Sequence, residues 1–160
     1  MRIGSAGKTF SLTGWKVGYV SGPPALISLV AKAHQNLTFT TAPNLQRAVA
    51  LGLAKPDDYF AALADGLQSG RDLLETGLQR LGFSTLPAQG SYFITADFTA
   101  LGYAGDDVAF ARTITAEAGV AAIPVSAFYA DAGPRSYVRF AFCKQPAVLT
   151  EALRRLEVWL

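Results

Sequence analysis

Apolar residues recur at helical spacing along several stretches of this chain and at alternating spacing along others, so elements can be placed before any chemistry is considered. Between Asp58 and Gly82, the positions Tyr59, Leu63, Leu67, Leu74, Leu78 and Leu81 form one long helical stripe. Gly70 sits in its gap, where another element can approach closely. Asp57 or Asp58 can cap the start of that helix and Gly82 can end it. The period then changes. Phe83 to Leu86 and Tyr92 to Ile94 read as strands parted by Pro87-Ala88-Gln89-Gly90, and Asp106 can cap a helix carrying Val108, Ala111, Ile114 and Ala118 on its apolar face. Val120 to Val125 and Tyr137 to Phe142 are two further strands, and Pro146 opens a final helix through Leu149, Ala152, Leu153 and Leu156. Strands covered by helices make a small α+β domain that begins near the long helix.

The chain before that helix is punctuated differently. Gly4, Gly7, Gly14, Gly18 and Gly22 fall among Phe10, Leu12, Trp15, Val17, Tyr19 and Val20, which suggests short strands and tight turns. Lys8 is thereby expected on a loop or strand end. Leu26, Leu29, Val30 and Ala33 then keep helical spacing from Ala25 to Leu37, and Pro43 opens a second helix through Leu53. Residues 1–54 hold too few strands for an ordinary sheet and read as the end of a larger domain, with 55–160 as the long helix and the small domain.

Composition narrows the function classes. With 51% hydrophobic residues among 160, the chain can bury a sizeable core. Its 14 basic and 12 acidic residues leave a formal charge of +2 without a basic stripe, which argues against a nucleic-acid or membrane-surface partner. The apolar run broken by Lys32, His34 and Gln35 is too short to span a membrane, and the opening residues Met1-Arg2-Ile3-Gly4 are not expected to act as a signal peptide. Cys143, the one cysteine, excludes an intrachain disulfide, fits a cytoplasmic setting and reads as a small buried hydrophobe in a strand. His34 has no second histidine to join in a metal cluster, and no metal site is expected.

Two segments carry chemistry. In Ser5-Ala6-Gly7-Lys8-Thr9-Phe10-Ser11-Leu12-Thr13-Gly14-Trp15-Lys16-Val17-Gly18-Tyr19, a lysine amine can form an imine with a carbonyl, and hydroxyls with a second lysine can hold phosphate. Taken alone, the same residues also describe a solvated turn. They are not a P-loop, because the first glycine required by that spacing is missing. In Ser136-Tyr137-Val138-Arg139-Phe140-Ala141-Phe142, alternation puts Arg139 with Tyr137 and Ala141 on one strand face and Val138, Phe140 and Phe142 on the other. A lone strand arginine is ordinarily a surface or ion-pair residue.

The first segment resembles the lysine motif of fold-type I pyridoxal-phosphate-dependent aminotransferases, Ser-x-x-Lys and then, after five residues, Gly-x-Arg/Lys-x-Gly, met here by Ser5, Lys8, Gly14, Lys16 and Gly18. The wording is most similar to the kynurenine and methionine aminotransferase branch. The segment around Arg139 resembles the Tyr-x-Arg-Phe-x-Phe element near the end of the same enzymes. The resemblance implies an α/β fold, the carboxyl-terminal portion of a fold-type I transferase, in which a remnant of the large domain precedes the small α+β domain. It implies pyridoxal 5'-phosphate as cofactor, bonded by Lys8, with Ser5 and Lys16 on its phosphate. Lys16 stands where many relatives have arginine, which exchanges a planar fork for a point charge. By the same resemblance Arg139 grips the α-carboxylate of amino acid and 2-oxo acid substrates, and Gly119 to Phe128 borders the cleft in positioning roles.

The implied reaction is transfer of an amino group from an L-amino acid to a 2-oxo acid in a parent enzyme that is a homodimer. The family's ring-stacking aromatic residue and the aspartate at the pyridine nitrogen have no counterpart here, so the chain is expected to be an incomplete fragment, with self-association through exposed apolar surface. A β-lyase of the same fold and a noncatalytic fragment acting only in assembly are the alternatives.

Overall fold

Proline punctuation decides where three of the helices begin: Pro24, Pro43 and Pro146 each occupy a first turn, where the missing N–H leaves no hydrogen bond unmade. The structure is a computed structural model that describes residues 1–160, and these form two compact units, Met1–Tyr59 and Phe60–Leu160.

In the first unit, strand β1 (Arg2–Ser5) runs into a single helical turn, α1 (Ala6–Thr9). A 3-10 turn at Thr13–Trp15 leads to strand β2 (Gly18–Ser21), which pairs antiparallel with β1. Helices α2 (Pro24–Leu37) and α3 (Pro43–Leu53) follow. The core here is small: Ala6, Val17 and Val49 are buried, with Phe10 and Leu45 packed on them. Helix α2 buries no residue at all, so the stripe read from its sequence faces outward, with Leu29 61% and Leu37 85% exposed. Phe39, just beyond, is held at φ 68° and is 75% exposed.

The second unit packs helices on an antiparallel sheet. Helix α4 spans Asp57–Arg80, so the division between the units falls in its first turn. Strands β3 (Ser84–Thr85), β4 (Phe93–Asp97), β5 (Ile123–Pro124) and β6 (Tyr137–Ala141) lie in the order β3-β4-β6-β5. Helix α5 (Asp107–Thr113) continues as a π-helical turn to Ala118, and α6 (Pro146–Trp159) ends the chain. The alternation expected for β6 holds: Val138 and Phe140 join Ile94 and Ala96 of β4 in the core, and Arg139 faces the other way. Phe98 and Phe110 stack at 4.1 Å within this core, and Phe83 meets both Phe110 and Phe140 edge-on.

Four expectations need correction. The strand read at Val120–Val125 shrinks to Ile123–Pro124, because Gly119 turns left-handed at φ 66° and Val120 N–H is spent on the carbonyl of Ile114, closing the preceding helix. Lys8 stands in the helical turn α1, closed by Phe10 N–H on the Ala6 carbonyl, not on a loop or strand end. The long stripe is buried only in its later part, at Leu74 and Leu78, whereas Tyr59 stays 36% exposed. Cys143 is exposed just after β6.

Gly82 does end the long helix, at φ 94°, with Phe83 N–H reaching back to the Leu78 carbonyl. Gly70 is buried because a Cβ there would come within 2.7 Å of the Phe142 carbonyl oxygen, which is backbone and cannot swing aside. Gly70→Val is therefore expected to destabilise the chain by about 1–3 kcal/mol through overpacking. Gly66→Ala on the same helix, with nothing within 4 Å of the new methyl, is expected to gain up to about 1 kcal/mol from helix propensity. Urea unfolding of the two variants checks the opposite signs.

Candidate functional site

The lysine segment is assembled by the β1–β2 pairing. Ser5 stands opposite Gly18, and Ala6 N–H donates to the Val17 carbonyl at 3.1 Å. That bond draws the residues beside Ser5 and Lys16 to the same end of the hairpin. Lys16 adopts a left-handed conformation, φ 54°, where the 3-10 turn reverses into β2. An L-residue pays for that conformation, and glycine stands two residues away instead of at the reversal itself. Sequence spacing held no signal for it. Ser5 precedes α1, yet its hydroxyl caps none of that turn's N–H groups. Lys8 is exposed on α1, one turn beyond Ser5, whose carbonyl accepts the Thr9 hydroxyl at 3.3 Å. Thr13 donates its hydroxyl to the Gly7 carbonyl, tying the turn after Lys8 back on the turn that carries it.

Arg139 occupies β6, one of the two inner strands of the second unit, directly opposite Thr95 on one side and Ile123 on the other. Its guanidinium lies between two rings, with its carbon 3.6 Å from the centroid of Phe93 and 4.5 Å from that of Phe128. Phe93 comes from β4, two residues along from Thr95 and so on the same sheet face. Phe128 ends the 3-10 turn Val125–Phe128 that follows β5. Both rings lie against the guanidinium carbon, and the N–H groups, which lie in the plane of the group, are what remains for hydrogen bonding. Arg139 Nε is buried and donates to no acceptor in the structure. A buried donor of this kind calls for an acceptor, since leaving the bond unmade is costly.

Sequence reasoning placed Phe128 in a segment bordering the cleft and Phe93 at the start of a strand, without joining either ring to the arginine. Alternation alone gives Phe93 and Arg139 a face each; only the register between β4 and β6 makes the faces one. Tyr92 meets Phe93, next to it in the chain, edge-on at 5.4 Å. Elsewhere in the unit, a depression between Thr99, Tyr103, Asp106 and Arg135 holds an exposed ion pair at 3.6 Å, so its cation already has a partner. Nearby Asp97 feels opposing effects: burial pushes its carboxyl up, and hydrogen bonds from Thr99, Ser136 and Tyr137 outweigh that, holding it below the usual carboxylate range. No group of three or more His, Cys, Asp or Glu is gathered to hold a metal ion, and no helix is long and apolar enough to cross a membrane.

The family profile described as "Aminotransferase class I and II" matches residues 1–156. The chain belongs to this aminotransferase family. The kynurenine–oxoglutarate transaminase of Dictyostelium discoideum is 41% identical over 170 residues, which takes in 94% of this chain and 39% of that protein. The methionine aminotransferase of Escherichia coli (strain K12) is 39% identical over 154 residues, covering 96% of this chain and 40% of that enzyme. Among solved structures, N-succinyldiaminopimelate aminotransferase from Mycobacterium tuberculosis superposes with a TM-score of 0.86 at 43% identity, over 99% of this chain and 41% of that one. The aminotransferase fold is thus the fold-type I architecture, and the chain spans about two fifths of the length of the relatives it matches, as a carboxyl-terminal portion would.

Class I and II aminotransferases generally depend on pyridoxal phosphate, and the residues present fit that group. Ser5 offers a hydroxyl not engaged in capping the helical turn, and Lys8 and Lys16 offer amines on the same folded-back segment. One amine for a carbonyl carbon, with a hydroxyl and a second amine for phosphate oxygens, is the donor set a phosphorylated aldehyde needs.

Proposed function

We propose that this chain supplies the cofactor lysine and the substrate-carboxylate anchor of an enzyme that transfers an amino group from an L-amino acid to a 2-oxo acid with pyridoxal 5'-phosphate. The observation that carries the reading is Arg139, flanked by two phenyl rings with its Nε–H buried and without an acceptor. A carboxylate meets a guanidinium edge-on through charge-assisted, paired hydrogen bonds, and both substrates of a transaminase carry one at the same position. One anchor therefore serves both halves of the reaction.

Ser5 and Lys16 would hold the phosphate, the lysine as a point charge without the bidentate fork of arginine. Lys8 would bond the cofactor and, once displaced by the substrate amine, take the proton from the substrate Cα and return it as general acid. Pyridoxal phosphate when bound supplies the electron sink for the charge left at that carbon. The tuning of that sink by an anionic partner at the ring nitrogen belongs to residues outside the set assembled here. The exposed apolar residues of α2, Leu26, Leu29 and Leu37, support a homodimer or self-association as the state in which the family works.

Kynurenine, methionine and N-succinyldiaminopimelate are the three donor classes that the relatives' names bring forward. Steady-state kinetics of the complete enzyme with these donors against 2-oxoglutarate are expected to give parallel double-reciprocal lines, the signature of exchange through one site in two halves. Release of pyruvate and ammonia from a cysteine conjugate, with no exchange on any donor, would replace this reading by a β-lyase.

A further inference from the structure

Asp107 is wholly buried and belongs to neither group of site residues described above. It is the first residue of α5, directly after the capping Asp106, whose carboxylate accepts the Ala109 N–H. Both oxygens of Asp107 are spent on one residue far along the chain: Oδ2 accepts the Ser126 N–H at 2.7 Å and Oδ1 accepts the Ser126 hydroxyl at 2.9 Å. Burying a carboxylate is expensive unless it is hydrogen-bonded, and two charge-assisted bonds to the same residue fix that residue in position and orientation.

Ser126 lies inside the 3-10 turn Val125–Phe128, two residues before the ring that covers Arg139. The core does little to hold that ring, since Phe128 is 59% exposed. What holds it is the turn. Its start is fixed by β5, where Ile123 stands opposite Arg139; its end is closed by Tyr129 N–H on the Ser126 carbonyl; its middle is fixed by Asp107.

We propose that Asp107, through Ser126, is a positioning residue that sets the Phe128 ring over Arg139 and so aims the edge of the guanidinium at a carboxylate. The aim toward a carboxylate rests on the reading of Arg139 given above, whereas the coupling of Asp107 to the ring and the guanidinium stands on geometry alone. Asp107 touches neither substrate nor cofactor in this arrangement. Its effect passes entirely through the turn.

The test is the Arg139 Nε–H resonance of the 15N-labelled chain, which is expected to feel the ring currents of Phe93 and Phe128, whose centroids lie 3.6 Å and 4.5 Å from the adjoining guanidinium carbon. Phe128→Leu removes one ring and is expected to move that resonance downfield. Asp107→Asn and Ser126→Ala are expected to move it in the same direction, Phe128→Tyr to leave it in place, and the double variant Asp107→Asn with Phe128→Leu to move it no further than Phe128→Leu alone. Ser126→Ala keeps Asp107 intact, so the comparison survives if Asp107→Asn fails to fold. A merely structural role would lower the unfolding midpoint of Asp107→Asn and Ser126→Ala while leaving the Arg139 resonance at its wild-type position, and that result overturns the proposal. Titration with pyruvate separates the two readings. Binding seen at Arg139 is expected to weaken about two- to fivefold in Asp107→Asn, the share of one exposed cation–π contact. A wild-type Arg139 resonance that ignores pyruvate but answers to the ring variants overturns the carboxylate reading and leaves the coupling standing.

Discussion

Lys8→Arg is expected to abolish covalent capture of pyridoxal phosphate at residue 8, while reductive trapping of the unaltered protein with borohydride labels that residue. Arginine keeps the positive charge at an exposed position of the turn Ala6–Thr9 but has no amine that can bond the aldehyde. The turn itself is held by backbone bonds, from Phe10 N–H to Ala6 and from Ala6 N–H to Val17, and the exchange leaves them untouched. The fold of the segment should therefore survive, and peptide mapping of the reduced adduct reads the chemistry alone. In the complete enzyme the same exchange would also remove the group proposed to move the Cα proton, with an expected loss of about 10²–10⁴-fold in kcat for a positioned general base. Lys16 provides the internal control. Label that appears on Lys16 as heavily as on Lys8 would mean that the segment is a basic turn with no built cofactor site.

Arg139→Met should leave the sheet intact and remove the carboxylate grip. The side chain points away from the core face formed by Ile94, Ala96, Val138 and Phe140, so a linear apolar replacement can still lie between the two rings. The loss in kcat/KM of the complete enzyme is expected at about 2–5 kcal/mol, the cost of truncating one partner of a buried, hydrogen-bonded charge pair. Arg139→Lys separates charge from geometry, because the ammonium keeps the charge and lacks the paired edge. Its loss should fall between those of the wild type and Arg139→Met, for the amino donor and the 2-oxo acceptor alike, since the proposed anchor holds both through the same group. A loss confined to one of the two substrates would remove the shared anchor from the reading.

Most of the elements were legible in the sequence because they follow from short-range physics. Pro24, Pro43 and Pro146 open helices since their fixed φ and missing N–H suit a first turn. Asp106 caps α5 through Ala109 N–H as its residue type anticipates, and Gly82 ends α4 in the left-handed conformation that glycine adopts freely. The overestimated strand at Val120–Val125 shows the limit. Val120, Val125 and Ile123 all favour strands, but the N–H of Val120 was needed to close a helix that continues as a π turn to Ala118. Local preference gave way to a hydrogen bond that the flanking elements demanded.

The site divides in the same manner. The lysine motif and the Arg139 segment are written in residue identity and spacing, and their resemblance to aminotransferases could be read without coordinates. The left-handed turn at Lys16, the two rings beside Arg139 and the link from Asp107 to Ser126 could not. Phe93, Phe128 and Arg139 are brought together by strand register, and Asp107 meets a serine 19 positions away. Sequence by itself determined most of the elements and the family and pointed to Lys8 and Arg139 as the candidate chemical residues, since each depends on neighbours a few positions apart. Tertiary structure alone decided which aromatic faces and buried carboxylate surround the arginine, because register and packing join residues whose separation along the chain carries no local signal.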